Sequence, residues 1–362
     1  MRFPALTRLR ERLDGHARTI LPAALDWLPR RDPGGRYDFR VPIVDDCFGH
    51  TSLSVTLREA VGGDAARAAV LLVHGLGGHR HAGYLQRAGQ KLRQMGFATV
   101  SVDLRGADRR GGGFYHVAQH EDLQAVCAAP ELRAYRRLFV LGFSMGGHTA
   151  IHLAASGQVE RLLGIAALCT PLDLGALQKH IDAPARAAYR RYVLRGLKQI
   201  YAAVAARHDV PSPKAAVLRC RTFHAWDALT ITKRYGYATP EDFYRAKSAA
   251  EVLPKLRTDT VLLMARHDPI VPPALSMPFL DRAPPGRLHA RILARGGHLQ
   301  FASGQRLGLP GVAGPGAIEQ IAEHWLQLLE NAPVPLAGQA VRATHQPRPS
   351  QSRRLARSKP LR

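Results

Sequence analysis

Two kinds of hydrophobic pattern divide the chain. Between residues 37 and 59 apolar and polar residues alternate, as in TSLSVTL at 51–57, and this period of two predicts a half-buried antiparallel strand pair. From residue 69 onward, short continuous runs rich in Val, Leu and Ile are bounded by glycine and separated by helix-length segments. Runs without alternation are typical of strands buried on both faces, and helices between them predict a parallel sheet with right-handed crossovers.

The second pattern gives the positions of the predicted elements. Strands of the parallel sheet are predicted at residues 70–73, 98–102, 138–141, 163–168, 261–264 and 289–293. Helices around them are predicted at residues 84–95, 120–128, 147–155 and 317–329. In the last of these, the apolar residues form a single stripe at helical spacing, as expected for a helix that packs on a sheet.

Residues 174–250 break the alternation of strands and helices. They contain helical segments rich in Tyr and Arg and no credible strand, so an insertion of this size predicts a helical cap over the carboxyl edge of the sheet. We therefore predict an α/β fold in which helices flank a mostly parallel central sheet. The predicted parts are an N-terminal accessory segment at 1–35, a core at 36–173 and 251–331, the cap at 174–250, and a disordered basic tail at 332–362.

Net charge is the compositional feature that changes this picture. The 362 residues include 51 Lys or Arg and 28 Asp or Glu, which gives a formal net charge of +23. A nucleic acid or an anionic surface is therefore a possible partner. No zinc-finger spacing, aromatic nucleic-acid-binding strand or heptad accompanies the charge, so a compositional origin is favoured. We expect no nucleic-acid partner, and at most a weak contact between the basic tail and an anionic surface.

Cysteine usage and hydropathy bear on the compartment. The four cysteines, Cys47, Cys127, Cys169 and Cys220, are far apart and show no paired spacing, which is typical of reduced thiols. No apolar run reaches the roughly 18 residues of a membrane span, and the N-terminus lacks the apolar core of a secretory signal. These features predict a cytoplasmic protein without a transmembrane segment.

A serine lies where a predicted strand meets a predicted helix. The motif GFSMGG at 142–147 directly follows the apolar run at 138–141. A tight strand-to-helix turn needs small residues on both sides of the serine, and it raises the serine hydroxyl above the sheet. G-x-S-x-G alone is weak evidence in a chain with 33 glycines, but its place between a strand and a helix makes Ser144 the candidate nucleophile.

A glycine-rich loop follows an earlier predicted strand. HGLGG at 74–78 comes directly after residues 70–73, and such a loop lets backbone N–H groups approach a ligand closely. We predict that the backbone N–H groups of Leu76 and Met145 form an oxyanion hole. A phosphate-binding loop is the alternative, but neither G-x-x-x-x-G-K-[ST] nor G-x-G-x-x-G is present.

Two further candidates follow the last two predicted strands. Asp268 lies in RHDPIV at 266–271, and His298 lies in GGHLQF at 296–301. Such a histidine accepts the serine proton while the carboxylate orients the imidazole ring. The chain order Ser144, Asp268, His298 is that of the α/β-hydrolases, so the sequence predicts an α/β-hydrolase fold with a helical cap insertion.

These motifs resemble one branch of the α/β-hydrolases. The chain is similar to the YheT-like proteins of the AB hydrolase 4 family, which are related to abhydrolase domain-containing proteins, over roughly residues 40–330. The resemblance implies a serine esterase whose charge-relay residues are Ser144, Asp268 and His298. The chain departs from the family at His148, where Asn is usual, and both this departure and the unusual loop at 107–113 concern substrate choice. The motifs that carry the resemblance are HGLGG at 74–78, DLRG at 103–106, GFSMGG at 142–147, HDPIV at 267–271 and GGHLQF at 296–301.

The residues and the resemblance together predict a carboxylic-ester hydrolase. It would act on a small-molecule ester through an acyl-enzyme intermediate, with no cofactor and no metal. Thioester hydrolysis and acyl transfer to an acceptor other than water use the same triad and stay open as alternatives. A non-catalytic binding protein with a hydrolase fold is a third alternative, which the complete triad disfavours.

Overall fold

A mixed β-sheet runs through the centre of the computed structural model, which describes residues 4–24, 35–62 and 68–332, with side chains from residue 10 to residue 21 in the first segment. The strands within these residues are β1 Arg36–Asp45, β2 Gly49–Arg58, β3 Ala68–Val73, β4 Ala98–Val102, β5 Arg137–Phe143, β6 Leu162–Leu168, β7 Asp259–Ala265 and β8 Leu288–Leu293. Their spatial order is β1-β2-β4-β3-β5-β6-β7-β8. β2 pairs antiparallel with β1 and with β4, and the other pairs are parallel.

Burial along the strands follows the two hydrophobic patterns. In β1 every second residue from Phe39 onward is buried, so that Phe39, Val41 and Ile43 face the core. In β3 and β4 every residue is buried. Alternating burial fits a strand with one face on the core, and full burial fits strands covered on both faces. The predicted antiparallel pair and the predicted parallel strands are both confirmed.

Helices cover both faces of the sheet. Those within the described residues are α1 Pro4–Ala24, α2 Gly83–Gln94, α3 Glu121–Ala128, α4 Met145–Ser156, α5 Leu174–Asp182, α6 Ala187–Val204, α7 Lys214–Arg219, α8 Phe223–Leu229, α9 Ile231–Tyr235, α10 Pro240–Lys247 and α11 Ala317–Asn331. One apolar cluster joins the first face to α3, α4 and α5–α10, and a second joins the other face to α2 and α11. Among the described helices, none has the length and hydropathy needed to span a membrane.

Helices α5–α10, here called the cap, lie between β6 and β7. Polar side chains start three of them: Asp173, Thr222 and Thr239 each accept a hydrogen bond from the backbone N–H three residues later. The cap falls inside the stretch 174–250, and the boundaries of all predicted domains stay predictions. Residues 25–34 of the predicted accessory segment and residues 333–362 of the predicted tail lie outside the described residues.

A buried cluster of charges joins the cap to the core. Asp45, at the end of β1, accepts hydrogen bonds from Arg105 at 2.7 Å and from Arg234 of α9. Arg105 also donates to Asp122 of α3, at 2.6 Å. The side chains of Asp45 and Arg234 are only 0% and 3% exposed, so this pair is cut off from water. The cluster therefore holds one end of the cap against α3 and against the hairpin formed by β1 and β2.

Aromatic rings surround the arginine of this cluster. The guanidinium carbon of Arg234 lies 4.5 Å from the ring centre of Phe48 and 4.3 Å from that of Phe114. Burial favours the neutral form of Asp45, but Arg234 and Arg105 together hold the pKa of its carboxyl below the ordinary value. Asp45 is therefore ionised at neutral pH, and its contribution to stability is lost as the pH falls through that lowered pKa.

Replacing Asp45 with Asn tests the cluster. We expect Asp45→Asn to lower the unfolding free energy by about 3–5 kcal/mol, because Arg234 keeps its charge and stays buried without a carboxylate partner. Urea denaturation followed by circular dichroism measures the loss. Glu251→Gln is the control, since it removes an ion pair with Arg282 that is exposed and worth less than about 1 kcal/mol. Equal losses in the two variants would contradict a stabilising role for the buried cluster.

Candidate active site

Ser144 occupies a strained turn between β5 and α4. Its backbone has φ 52° and ψ −119°, a positive φ that side chains other than glycine rarely adopt and that costs about 1–3 kcal/mol. Hydrogen bonds hold the turn in this shape: Ser144 N donates to Leu168 O at 2.7 Å, and Gly147 N donates to Ser144 O at 3.0 Å. The strain therefore persists because the neighbouring strand and the helix start fix the backbone on both sides of the serine.

Two glycines of this turn have no room for a side chain. A Cβ atom at Gly142 would lie 2.5 Å from the carbonyl oxygen of Gly146, and a Cβ atom at Gly146 would collide with the carbonyl oxygen of Val73. The turn therefore packs backbone to backbone against the end of β3. This is the physical reason for small residues on both sides of Ser144.

The acid and the histidine lie in loops that follow neighbouring strands. Asp268 Oδ1 accepts hydrogen bonds from the N–H groups of Ile270, at 2.8 Å, and Val271, at 3.0 Å. Asp268 Oδ2 lies 2.8 Å from His298 Nδ1. The side chains of Asp268 and His298 are 0% and 7% exposed, so their contact is shielded from water. With Nδ1 held by the carboxylate, Nε2 of His298 is the ring nitrogen left for a further partner.

Ser144 and His298 line the same cavity, which has a volume of about 820 Å³. The walls come mainly from the cap and are largely apolar, with Leu174, Leu197, Phe223, Trp226, Ile231 and Phe243 among the lining residues. One acid, Asp227, also lines the cavity and accepts a hydrogen bond from the Tyr244 hydroxyl at 2.7 Å. Burial raises the pKa of Asp227 to about 7. The cavity thus combines an apolar volume with a serine and a histidine in its lining.

The glycine loop, residues 74–78, presents one free backbone N–H group to this cavity. Tyrosine hydroxyls occupy the groups on either side: Gly75 N donates to Tyr84 and Gly77 N to Tyr115, each at 2.9 Å. Leu76 N has no hydrogen-bond acceptor among the described residues, and neither has Met145 N at the start of α4. Leu76 and Met145 both line the cavity beside Ser144. The two N–H groups predicted as an oxyanion hole are therefore available to a ligand beside Ser144, and their role stays a prediction.

The cap rests directly on the glycine loop. Gly77 has a φ of 71°, and a Cβ atom there would lie 2.7 Å from the carbonyl oxygen of Val193 in α6. A Cβ atom at Gly196 would collide with the carbonyl oxygen of Gly77. Glycine at both positions lets helix and loop meet backbone to backbone. The position of α6 therefore limits where the glycine loop can lie.

Sequence reasoning missed three side chains that support the site. Nothing in the local sequence shows that the hydroxyls of Tyr84 and Tyr115 hold the glycine loop. Cys169 follows β6 and lies fully buried against Asp268, with its Sγ 3.5 Å from the carbonyl oxygen of Gly297. Burial, and then the Asp268 carboxylate, raise the pKa of the Cys169 thiol well above its ordinary value. This cysteine therefore stays protonated and packs behind the acid.

Two groups of side chains within the described residues are close enough to share a metal ion. One is Cys169 with Asp268 and His298. In this group the Cys169 thiol is protonated and the Asp268 carboxylate is hydrogen-bonded to His298, which explains why the three side chains lie close together. The other lies where β7 and β8 begin, at the edge of the sheet away from the cavity. There Asp259 accepts hydrogen bonds from His289 and from His324 of α11, at 2.9 Å each. Burial favours neutral Asp259, but these two histidines hold the pKa of its carboxyl below the ordinary value. Both groups are explained as hydrogen-bonded clusters.

The fold and these loops define the class of the protein. A serine turn after β5, an acid after β7 and a histidine after β8, all at the carboxyl edge of one mostly parallel sheet, are the arrangement of an α/β-hydrolase. The chain belongs to the Hydrolase_4 family, described as serine aminopeptidase, S33, whose family model matches residues 64–302.

Relatives confirm the resemblance to YheT-like α/β-hydrolases. An abhydrolase domain-containing protein of Dictyostelium discoideum is 25% identical over 248 residues, which span 65% of this chain and only 62% of that protein. The putative esterase YheT of Escherichia coli K12 is 26% identical over 250 residues, 66% of this chain and 72% of YheT. The medium-chain fatty acid ethyl ester synthase/esterase 2 of Saccharomyces cerevisiae is 21% identical over 261 residues, 64% of this chain and 57% of that enzyme.

Solved structures share the fold. The Pyrococcus furiosus esterase Pf2001 has a TM-score of 0.50 and 14% identity, and the match covers 84% of this chain and 94% of that one. Est1E from Butyrivibrio proteoclasticus, solved with ferulic acid bound, also has a TM-score of 0.50 and 14% identity, covering 81% of this chain and 99% of Est1E. At such low identity the likeness shows the α/β-hydrolase fold and nothing finer.

Replacing Tyr115 with Phe tests how the glycine loop is held. Tyr115 is 4% exposed, so Tyr115→Phe leaves the N–H group of Gly77 without its acceptor beneath the cap. We expect a loss of about 1–3 kcal/mol in unfolding free energy and faster hydrogen exchange at Gly77. Urea denaturation and exchange mass spectrometry measure the two effects. The exposed Tyr37→Phe should change stability by less than about 0.5 kcal/mol, and a similar small effect at Tyr115 would show that the loop is held otherwise.

Proposed function

We propose that this protein is a carboxylic-ester hydrolase in which Ser144 is the nucleophile, His298 the general base and Asp268 the orienting acid. The observation that carries the proposal is the 2.8 Å contact between Asp268 Oδ2 and His298 Nδ1, because His298 lines the same cavity as Ser144. The esterase names of two relatives support the choice of an ester bond. The strained backbone of Ser144 supports its role as nucleophile, because strain of this kind concentrates at functional sites.

In the proposed reaction, Ser144 Oγ attacks the ester carbonyl carbon while its proton passes to His298 Nε2. The carbon–oxygen bond to the alcohol then breaks, the alcohol leaves with the proton from Nε2, and the acyl group stays on Ser144. Water attacks this acyl-enzyme and gives its proton to Nε2, and the carboxylic acid leaves as Ser144 regains a proton. Asp268 holds the Nδ1 side of the ring throughout and stabilises the imidazolium.

The proposed oxyanion hole binds the charge that develops on the carbonyl oxygen. The N–H groups of Leu76 and Met145 line the cavity beside Ser144, and neither has an acceptor in the described part of the chain. An oxyanion-hole donor of this kind is worth about 2.7–4 kcal/mol in the transition state. The tyrosine hydroxyls on Gly75 and Gly77 keep the loop from rotating, so the donor at Leu76 needs no reorganisation.

The apolar lining of the cavity supports an ester with an apolar acyl chain. Phe223, Trp226 and Phe243 contribute aromatic surface, and Leu174 and Leu197 contribute aliphatic surface. Each CH₂ group that moves from water into such a cavity gains about 0.8 kcal/mol. A volume of about 820 Å³ is at the upper end of ordinary small-molecule sites, so an acyl chain of medium length fits inside.

A series of substrates tests the substrate class. For p-nitrophenyl esters from acetate to dodecanoate, we expect kcat/KM to rise by up to about fourfold per added CH₂ group until the cavity is filled. Stopped assays with matched acyl thioesters, aminoacyl p-nitroanilides and added ethanol measure the competing reactions on the same triad. Faster turnover of thioesters would favour a thioesterase, transfer to ethanol an acyltransferase, and turnover of the anilides alone a peptidase.

Variants of the triad test the mechanism. Ser144→Ala should fold normally and lose about 10⁵–10⁶-fold in kcat, with a smaller loss for Asp268→Asn. A fluorophosphonate probe should label Ser144 in the unmodified protein and leave His298→Ala unlabelled, because serine needs its base to react at neutral pH. Ser156→Ala, at the other end of α4, is the matched control and should keep full activity. Turnover by Ser144→Ala within tenfold of the unmodified protein would contradict the proposal.

A further inference from the structure

The first helix packs against the loops that hold the proposed acid and histidine. α1, Pro4–Ala24, lies before residues 64–302, which the family model matches. A Cβ atom at Gly15 of α1 would collide with the carbonyl oxygen of His267, next to Asp268. A Cβ atom at Gly297, next to His298, would in turn collide with the carbonyl oxygen of Gly15. The helix is therefore in backbone contact with both loops at once.

Thr19 of α1 makes a hydrogen bond to the histidine itself. Its Oγ1 accepts from the backbone N–H of His298 at 2.8 Å and donates to the carbonyl oxygen of Gly15 at 2.8 Å. Thr19 is 4% exposed and His298 is 6% exposed, so water cannot replace this bond. Because the Thr19 hydroxyl donates its hydrogen to Gly15, its oxygen is free to accept the hydrogen bond from the backbone N–H of His298.

The same helix also contacts the cap. In the cap, the hydroxyl of Tyr189 in α6 lies 2.6 Å from His16 Nδ1. In the acid loop, Nε2 of His267 lies 3.2 Å from the carboxylate of Glu11. Thr19 and Ile20 contribute to the wall of the cavity. α1 thus connects the acid loop, the histidine loop and the cap, and it closes one side of the cavity.

We infer that α1 is part of the active site and that Thr19 is a positioning residue for His298. The inference rests on the proposed function. The imidazole is held at Nδ1 by Asp268, while the backbone that carries it is held by Thr19 Oγ1. Without the threonine hydroxyl, a buried N–H group loses its acceptor, and the loop must shift to find another. A shift of about 1 Å between His298 and Ser144 is enough to cost about 10²-fold in rate.

Substitutions at Thr19 separate this role from packing. Val has nearly the shape of Thr but no acceptor, whereas Ser keeps the hydroxyl and loses a methyl group. We expect Thr19→Val to lower kcat by about 10- to 100-fold with KM changed less than about threefold, and Thr19→Ser to restore kcat to within about threefold. Leu13→Ala, on the exposed side of α1, is the matched control and should leave both constants unchanged.

Hydrogen exchange measures the contact without substrate. In the unmodified protein the amide of His298 should exchange at least about tenfold more slowly than that of the exposed Gln300, and Thr19→Val should remove this difference. Equal exchange at the two amides would overturn the inference even if Thr19→Val did not fold. So would unchanged kcat in Thr19→Val, or a loss of kcat that Thr19→Ser fails to restore. Turnover by Ser144→Ala would instead overturn the proposed function, and the exchange result would still decide the contact.

Discussion

Backbone contact between the serine turn and the end of β3 fixes the centre of the cavity. Gly146 lies so close to Val73 that no Cβ atom fits between them, and β3 leads directly into the glycine loop. The distance from Ser144 to the free N–H group of Leu76 is therefore set by main-chain packing, which side-chain rotamers cannot change. The parallel order of β5, β6, β7 and β8 then delivers the acid and histidine loops to the same edge of the sheet.

Elements covered on both faces could be predicted from the sequence, because burial there excludes unsatisfied polar residues over a whole run. The strands predicted at 70–73 and 138–141 are only slightly longer in the structure, at Ala68–Val73 and Arg137–Phe143. The docking of α1 could not be predicted, since an amphipathic pattern identifies the apolar face of a helix and not the surface it meets. Thr19 contacts a residue 279 positions later, and no local pattern encodes such a distance.

Charged residues were the other feature that sequence reasoning could not place. The net charge indicates only an anionic partner or a compositional origin, yet Arg234 is buried beside an aspartate 189 positions earlier and between two aromatic rings. Arg105 is buried in the same cluster and joins a loop after β4 to α3. These arginines therefore act in the interior, where they hold the cap to the hairpin through contacts of long sequence separation.

Backbone contact between α6 and the glycine loop links the admission of substrate to the chemistry. If α6 moves outward to widen the mouth of the cavity, the loop at Gly77 loses the surface that supports it, and the neighbouring donor at Leu76 loses its fixed direction. An enzyme of this design would be inactive while it is open, and it would regain its power only when the helix returns. Molecules that bind only to the open form would leave unchanged, so the closing movement itself would contribute to the selection of substrates.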